Sequence, residues 1–232
     1  MDKYDEYKLQ IVKVCRRLCE EGYFGAKTGS GGNISMLVEG EDAIVVTPSS
    51  MKYDEITIDD VCVVDLDKKR IEGTRDPSVE TPMHIAVYKN RKDVNAVIHS
   101  HPPFASVFAV LNKPIPPLFD EVAISIGNKI EVVPYALSGT PDLLNNVVGK
   151  LSNRCQCYIL QNHGALCVGK NMEKTVLYLE LLEKVAAIYY RALATGEPVT
   201  ELPEMFSTAL FSFVTSAQDV EIARKENLKR IE

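Results

Sequence analysis

The chain has 232 residues, 46% of them hydrophobic, and a formal net charge of −6. That is enough apolar material for one sizeable core, and the length suits one α/β domain spanning residues 1–232. No basic run is present to hold nucleic acid or an anionic membrane, and no stretch approaches the ~18 apolar residues of a spanning helix.

Residues 3–21 read as a helix, with Tyr7, Ile11, Cys15, Leu18 and Cys19 at helical spacing and Gly22 placed to stop it. The acidic start, MDKYDEYK, does not read as a signal peptide, so a cytoplasmic protein is expected. A Gly- and Ser-rich loop, GAKTGSGGNIS, follows, and then β-branched runs at 43–47 and 61–65 that predict strands. The stretch EGTRDPSVETPMHIAVYKN begins as a loop and turns helical near Ser78, with Pro82 in the first turn, where its missing N–H is tolerated. Strands are predicted over 94–101, 130–133, 157–161 and 165–168.

Residues 172–193 give the clearest helix. Leu177, Leu181, Val185 and Ile188 are expected as its buried stripe, with Glu180 and Lys184 paired outside at i, i+4. The tail, 200–232, is expected to be helical in part. No repeat or linker interrupts the chain, so one sheet covered by helices on both faces is expected. The six cysteines sit mostly in apolar patterns and read as reduced core residues. Cys155 and Cys157 could instead join a metal site, but no second cysteine pair supports that.

The chain spends two of its four histidines in NAVIHSHPPF. In a strand, residues i and i+2 face the same way, so His99 and His101 project side by side, and Pro102 and Pro103 place them at the strand's mouth. His163 stands in LQNHGAL, where Gly164 is expected to allow a tight turn. Three neutral imidazoles with an open position form a catalytic zinc pattern able to polarise a carbonyl or hydroxyl. Glu80 lies at the start of the helix before this strand, where the helix dipole favours its carboxylate. It reads either as a proton shuttle or as ordinary first-turn stabilisation. His84, one turn on, reads as a packing partner rather than a fourth ligand.

TGSGGNIS can bring backbone N–H groups against an anion. It lacks the G-K-[ST] of a nucleotide P-loop and fails G-x-G-x-x-G at Ile34. TPSS (47–50) and DPS (76–78) add hydroxyls, with Ser78 an expected N-cap. Each alone is a turn. Together, beside a metal site, they suggest a phosphorylated small molecule as substrate.

The ordered set GSGGNIS, TPSS, PSVE, HSH and NHG resembles the class II aldolase/adducin family over roughly residues 5–195, and within it the sugar-phosphate aldolases. The resemblance implies a mostly antiparallel sheet between helices and a homotetramer with sites between subunits. His99, His101 and His163 would hold Zn2+ (Mn2+ or Co2+ in its place), and Glu80 would complete the resting shell and serve as acid/base. Gly32, Asn33, Ser49, Ser50, Ser78 and Val79 fall where the family holds substrate phosphate. The implied reaction cleaves a ketose 1-phosphate, such as L-fuculose 1-phosphate, to dihydroxyacetone phosphate and an aldehyde through a metal-stabilised ene-diolate. A 5-deoxypentulose or methylthioribulose 1-phosphate would use the same half of the site. A pentulose-5-phosphate 4-epimerase, a methylthioribulose-1-phosphate dehydratase and a non-catalytic adducin-like module are alternatives on the same fold. The chain departs from the family pattern in places. Val79 replaces a second serine and Ser50 a glycine. Phe119-Asp120 lies where a proton-donating tyrosine is usual, which leaves Asp120 as a candidate donor. Ser138 stands where an aromatic lines the aldehyde pocket, and no tyrosine follows Tyr190.

Overall fold

The computed structural model describes residues 3–25 and 31–228. Eight strands form one sheet: β1 (Gly32–Leu37), β2 (Ala43–Val46), β3 (Cys62–Asp65), β4 (Arg70–Glu72), β5 (Ala96–Ser100), β6 (Val132–Val133), β7 (Cys157–Leu160) and β8 (Gly164–Gly169). Their spatial order is β4-β3-β2-β1-β5-β8-β7-β6. Every neighbouring pair is antiparallel except β6 and β7. Seven helices are α1 (Asp5–Glu20), α2 (Thr81–Asn90), α3 (Pro103–Leu111), α4 (Asp120–Ala123), α5 (Pro141–Leu151), α6 (Met172–Ala194) and α7 (Glu204–Leu228).

Both faces of the sheet are covered, which is why its central strands read as unbroken apolar runs rather than alternating ones. On one face, Ile34, Met36, Ala96 and Ile98 pack with α1, α3 and α6 through residues such as Ile11, Phe108 and Leu182. On the other, Ile44, Val46, Val97 and Leu166 pack with α2 and α5 through Met83, Val87, Leu143 and Val147. Cross-strand partners share a face. Asn33 is opposite His99 and Ser35 opposite Val97, so Asn33, Ser35 and His99 all face α2. A one-residue slip would move all three to the wrong side.

Several expectations are corrected. GNISML is strand β1, although GNIS was expected to close the loop; its Gly, Asn and Ser break the β-branched signal because one face carries polar contacts rather than core. Helices α3 and α5 and strand β4 lie in stretches assigned no element. On α6 the buried residues are Met172, Thr175, Val176, Leu179, Leu181, Leu182, Val185, Ala186 and Tyr189. Leu177 and Ile188 sit at the edge of that stripe, 36% and 38% exposed. Glu180 and Lys184 do not pair: Glu180 meets Arg17, and Lys184 reaches Glu121 at 3.0 Å. All six cysteines are buried, and none joins a metal-competent cluster among the described residues.

Candidate metal centre and substrate cleft

Strand β5 delivers His99 from its last turn of pleat, and His101 follows just past the strand end. The backbone N–H of His101 donates to the Tyr23 carbonyl at 2.8 Å, and α3 begins directly after at Pro103. The start of α3 is clamped by Glu183 of α6, which accepts from the Phe104 and Ala105 N–H groups at 2.8 and 2.9 Å. His163 comes from the tight β7–β8 connection. The left-handed residue there is Asn162 (φ 52°), not Gly164. Gly164 is needed for closeness instead. A Cβ on it would stand 2.4 Å from His101 Cδ2 and 2.5 Å from the Ser100 carbonyl oxygen. Gly32 serves a similar purpose at φ 146°, where a Cβ would meet the His99 carbonyl oxygen at 2.3 Å.

The three imidazoles converge, each offering a nitrogen within 4.8 Å of the others. His99 Nδ1 lies 2.9 Å from the Ala165 carbonyl, which makes Nδ1 the protonated nitrogen and leaves the Nε2 lone pair facing inward. That Nε2 is 3.2 Å from His101 Nε2. Two nitrogens ~2.0–2.1 Å from one tetrahedral ion lie about 3.3 Å apart, so the donor set fits a shared divalent cation. The carboxylate of Glu80 completes the group: Oε2 is 3.2 Å from His99 Nε2 and Oε1 is 3.5 Å from His163 Nε2.

Glu80 is the N-cap residue of α2, with Pro82 in the first turn. Ser78 is therefore not the N-cap; its hydroxyl accepts the Glu80 N–H at 3.2 Å and its carbonyl accepts the Thr81 N–H, forming the turn that enters the helix. Burial opposes ionisation of Glu80, but the charge of His99, the Asn33 amide, His163 and the Ser138 hydroxyl together hold its pKa well below the usual carboxylate range. Burial pushes His99 below the usual imidazole value despite the nearby carboxylate. Burial also lowers His101, and His163 adds to the effect. At neutral pH the Glu80 carboxylate thus faces neutral imidazoles at His99 and His101, the protonation state a cation requires.

His84 is behind the centre, not in it. Its Nδ1 is 2.7 Å from Ser35 Oγ, which in turn is 2.7 Å from the Tyr88 hydroxyl. Burial pushes its pKa down to about 3.

A cleft of about 220 Å³ opens beside His99 and His101 and is lined by Glu80, Ser138 and all six residues expected at the phosphate: Gly32, Asn33, Ser49, Ser50, Ser78 and Val79. Asn33 proves to have a second engagement, since its amide donates to Glu80 Oε2 at 2.7 Å. Val79 is 64% exposed. Ser50 adopts a left-handed φ of 54°, consistent with a glycine being usual there. Thr28, Gly29 and Ser30 of the glycine-rich stretch lie outside the described residues. Phe119 and Asp120, at the start of α4, are not among the residues lining the cleft. Tyr53 was not anticipated: buried in the cleft wall, its hydroxyl donates to the Gly32 carbonyl at 2.6 Å and so holds the start of β1. Nothing in its local sequence, MKYDE, marks that reach across 21 residues.

The sequence model described as "Class II Aldolase and Adducin N-terminal domain" matches residues 9–190. The chain belongs to this family. It is 32% identical over 213 residues to the L-fuculose phosphate aldolase of Escherichia coli strain K12, covering 91% of this chain and 96% of that protein. It is 34% identical over 180 residues to the 5-deoxy-D-ribulose 1-phosphate aldolase of Bacillus thuringiensis serovar kurstaki, covering 78% and 83%. A solved L-fuculose 1-phosphate aldolase superposes with a TM-score of 0.83 at 30% identity, covering 89% of this chain and 95% of that one.

Proposed function

We propose that this member of the class II aldolase family is a metal-dependent carbon–carbon lyase. Its substrate is a ketose 1-phosphate, either L-fuculose 1-phosphate or a 5-deoxypentulose 1-phosphate, cut between C3 and C4 to give dihydroxyacetone phosphate and an aldehyde. The observation that carries this reading is a buried carboxylate facing three convergent imidazoles beside a hydroxyl-lined cleft.

His99, His101 and His163, with Glu80 beside them, would hold the cation. When bound, a zinc ion supplies Lewis-acid polarisation of a carbonyl and its neighbouring hydroxyl and offsets developing negative charge, and Mn2+ or Co2+ suit the same donors. Ser49, Ser50 and Ser78, with the backbone of Gly32, Asn33 and Val79, orient the phosphate. Glu80 handles the proton at C3. In cleavage the ionised Glu80 carboxylate takes up the proton that the C4 hydroxyl loses, the C3–C4 pair stays on C3, C4 becomes the aldehyde carbonyl, and Glu80 returns that proton to C3. Run backwards, the ionised carboxylate withdraws that proton from dihydroxyacetone phosphate.

No helix among the described residues is long and apolar enough to cross a membrane. Phe206, Phe213 and Val220 are exposed on α7 at a spacing of seven, a stripe suited to burial in the homotetramer that we propose as the working assembly, in the cytoplasm.

The test is an aldehyde panel with dihydroxyacetone phosphate. Counting carbons, cleavage of L-fuculose 1-phosphate releases lactaldehyde and cleavage of a 5-deoxypentulose 1-phosphate releases acetaldehyde, so the preferred acceptor names the substrate. Condensation should stop on chelation and return with Zn2+. Undiminished condensation in protein shown to be free of metal would refute the reading, as would conversion of a pentulose 5-phosphate with no free aldehyde.

A further inference from the structure

Ser138 occupies the loop between β6 and α5, on the solvent side of Glu80. Its hydroxyl donates to Glu80 Oε1 at 2.8 Å. From the opposite side, on β1, the Asn33 amide donates to Oε2 at 2.7 Å. Each carboxylate oxygen therefore has one neutral donor and one imidazole neighbour, His163 for Oε1 and His99 for Oε2. The two donors differ in setting. Asn33 is buried in the sheet, whereas Ser138 is exposed at the cleft, on a loop that is itself tied down. Thr140 donates to the Leu137 carbonyl at 2.6 Å, and its hydroxyl accepts the Leu143 N–H that caps α5. Gly139, at φ 75°, lets the loop lie against Val79, beside the residue it serves.

A carboxylate held at one oxygen can still rotate about its last torsion, because that torsion is broad. Held at both, it keeps one plane. Hydrogen bonds to an ionised acceptor are the strong class, and misplacement of a reacting group by about 1 Å can cost a hundredfold in rate. We propose that Ser138 is a positioning residue. Its hydroxyl fixes the plane of the Glu80 carboxylate, so that the same group can face the imidazoles and reach the substrate carbon. The inference rests on the role proposed for Glu80.

The test compares Ser138→Ala and Ser138→Thr with the wild type in two assays: Zn2+ affinity by chelator competition, and steady-state aldol condensation. Melting temperatures confirm that each variant is folded. The expected result for Ser138→Ala is a fall in kcat of about tenfold or more, with KM for dihydroxyacetone phosphate within about twofold. Zn2+ binding should weaken by about tenfold. Threonine keeps the hydroxyl, and its extra methyl has the open cleft to occupy, so it should restore both. Wild-type kcat and Zn2+ affinity in the alanine variant would overturn the inference, and so would a loss that threonine fails to repair. A wild type that binds Zn2+ but condenses no aldehyde would refute the aldolase reading instead, and Zn2+ affinity alone would still decide the role of Ser138.

Discussion

The two halves of the cleft are built on different principles. The metal half is made of side chains. Four ionisable groups converge from the N-terminus of α2, the end of β5 and the β7–β8 connection, the imidazole nitrogens within 4.8 Å of one another and the Glu80 carboxylate 3.2 and 3.5 Å from His99 and His163. The half proposed to hold the phosphate is made of turns. Thr47–Ser50 and Asp76–Ser78 are laced by backbone bonds, Ser49 N–H to the Asp76 carbonyl at 2.8 Å and Ser78 N–H to the Thr47 carbonyl at 3.0 Å. Among the described residues lining the cleft there is no lysine or arginine. One half concentrates charge in a desolvated place, where each group is worth most. The other offers neutral donors, with Ser50 exposed at its rim, and each such bond contributes about 0.5–1.5 kcal/mol. Losses in the first should be all-or-none, and losses in the second graded.

Substituting His101 with alanine should break the metal half outright. Two imidazoles cannot replace three, and the variant should carry far less than one Zn2+ per chain by elemental analysis, with condensation lost by more than about a thousandfold. Glu80→Gln is the next largest. The amide keeps the shape but cannot take a proton, so metal stays measurable while turnover falls by about a hundredfold to ten-thousandfold. Wild-type rates in that variant would remove Glu80 from the chemistry and leave it a structural acceptor.

The same contrast governs what could be read in the sequence. H-S-H followed by two prolines is legible because strand periodicity alone puts both rings on one side, and N-H-G because a rare residue sits between two apolar runs. The sheet's central strands are legible as β-branched runs. Strand β1 is not, because Asn33 and Ser35 give their face to Glu80 and His84, and a polar strand end is indistinguishable from a loop by composition. The phase of α6 is misread for a related reason. It packs on the sheet with a broad stripe, so Leu177 and Ile188 satisfy helical spacing at its margins without being buried. Tyr53 and Ser138 act through contacts 21 and 58 residues away, which no local pattern encodes.

Acid probes the buried imidazoles in and behind the metal half through stability rather than through the metal. Unfolded histidine takes a proton near pH 6.5, whereas buried His84 resists it down to about pH 3. Between those values the unfolded chain binds more protons than the folded one, so stability falls as pH falls. For His84 alone, going from pH 7 to 5 should cost about 2 kcal/mol. His99 and His101 shift in the same direction and add to the loss. Urea titrations of metal-free protein at pH 7, 6 and 5 would measure it. A stability unchanged across that range would mean that these imidazoles are not held neutral by burial.

The smallest effect belongs to the phosphate half. Val79 presents an exposed isopropyl group to a cleft otherwise furnished with hydroxyls from Ser49, Ser50 and Ser78. Val79→Ser exchanges that group for one donor at the surface. No core is disturbed, so the melting temperature should hold. Inhibition of condensation by inorganic phosphate should tighten by about two- to tenfold, the value of one exposed hydrogen bond. KM for dihydroxyacetone phosphate should fall in parallel with kcat unchanged, because the bond is present equally in ground and transition states. If phosphate inhibition does not move while kcat does, position 79 faces the reacting carbons rather than the phosphate, and the boundary drawn between the two halves is misplaced.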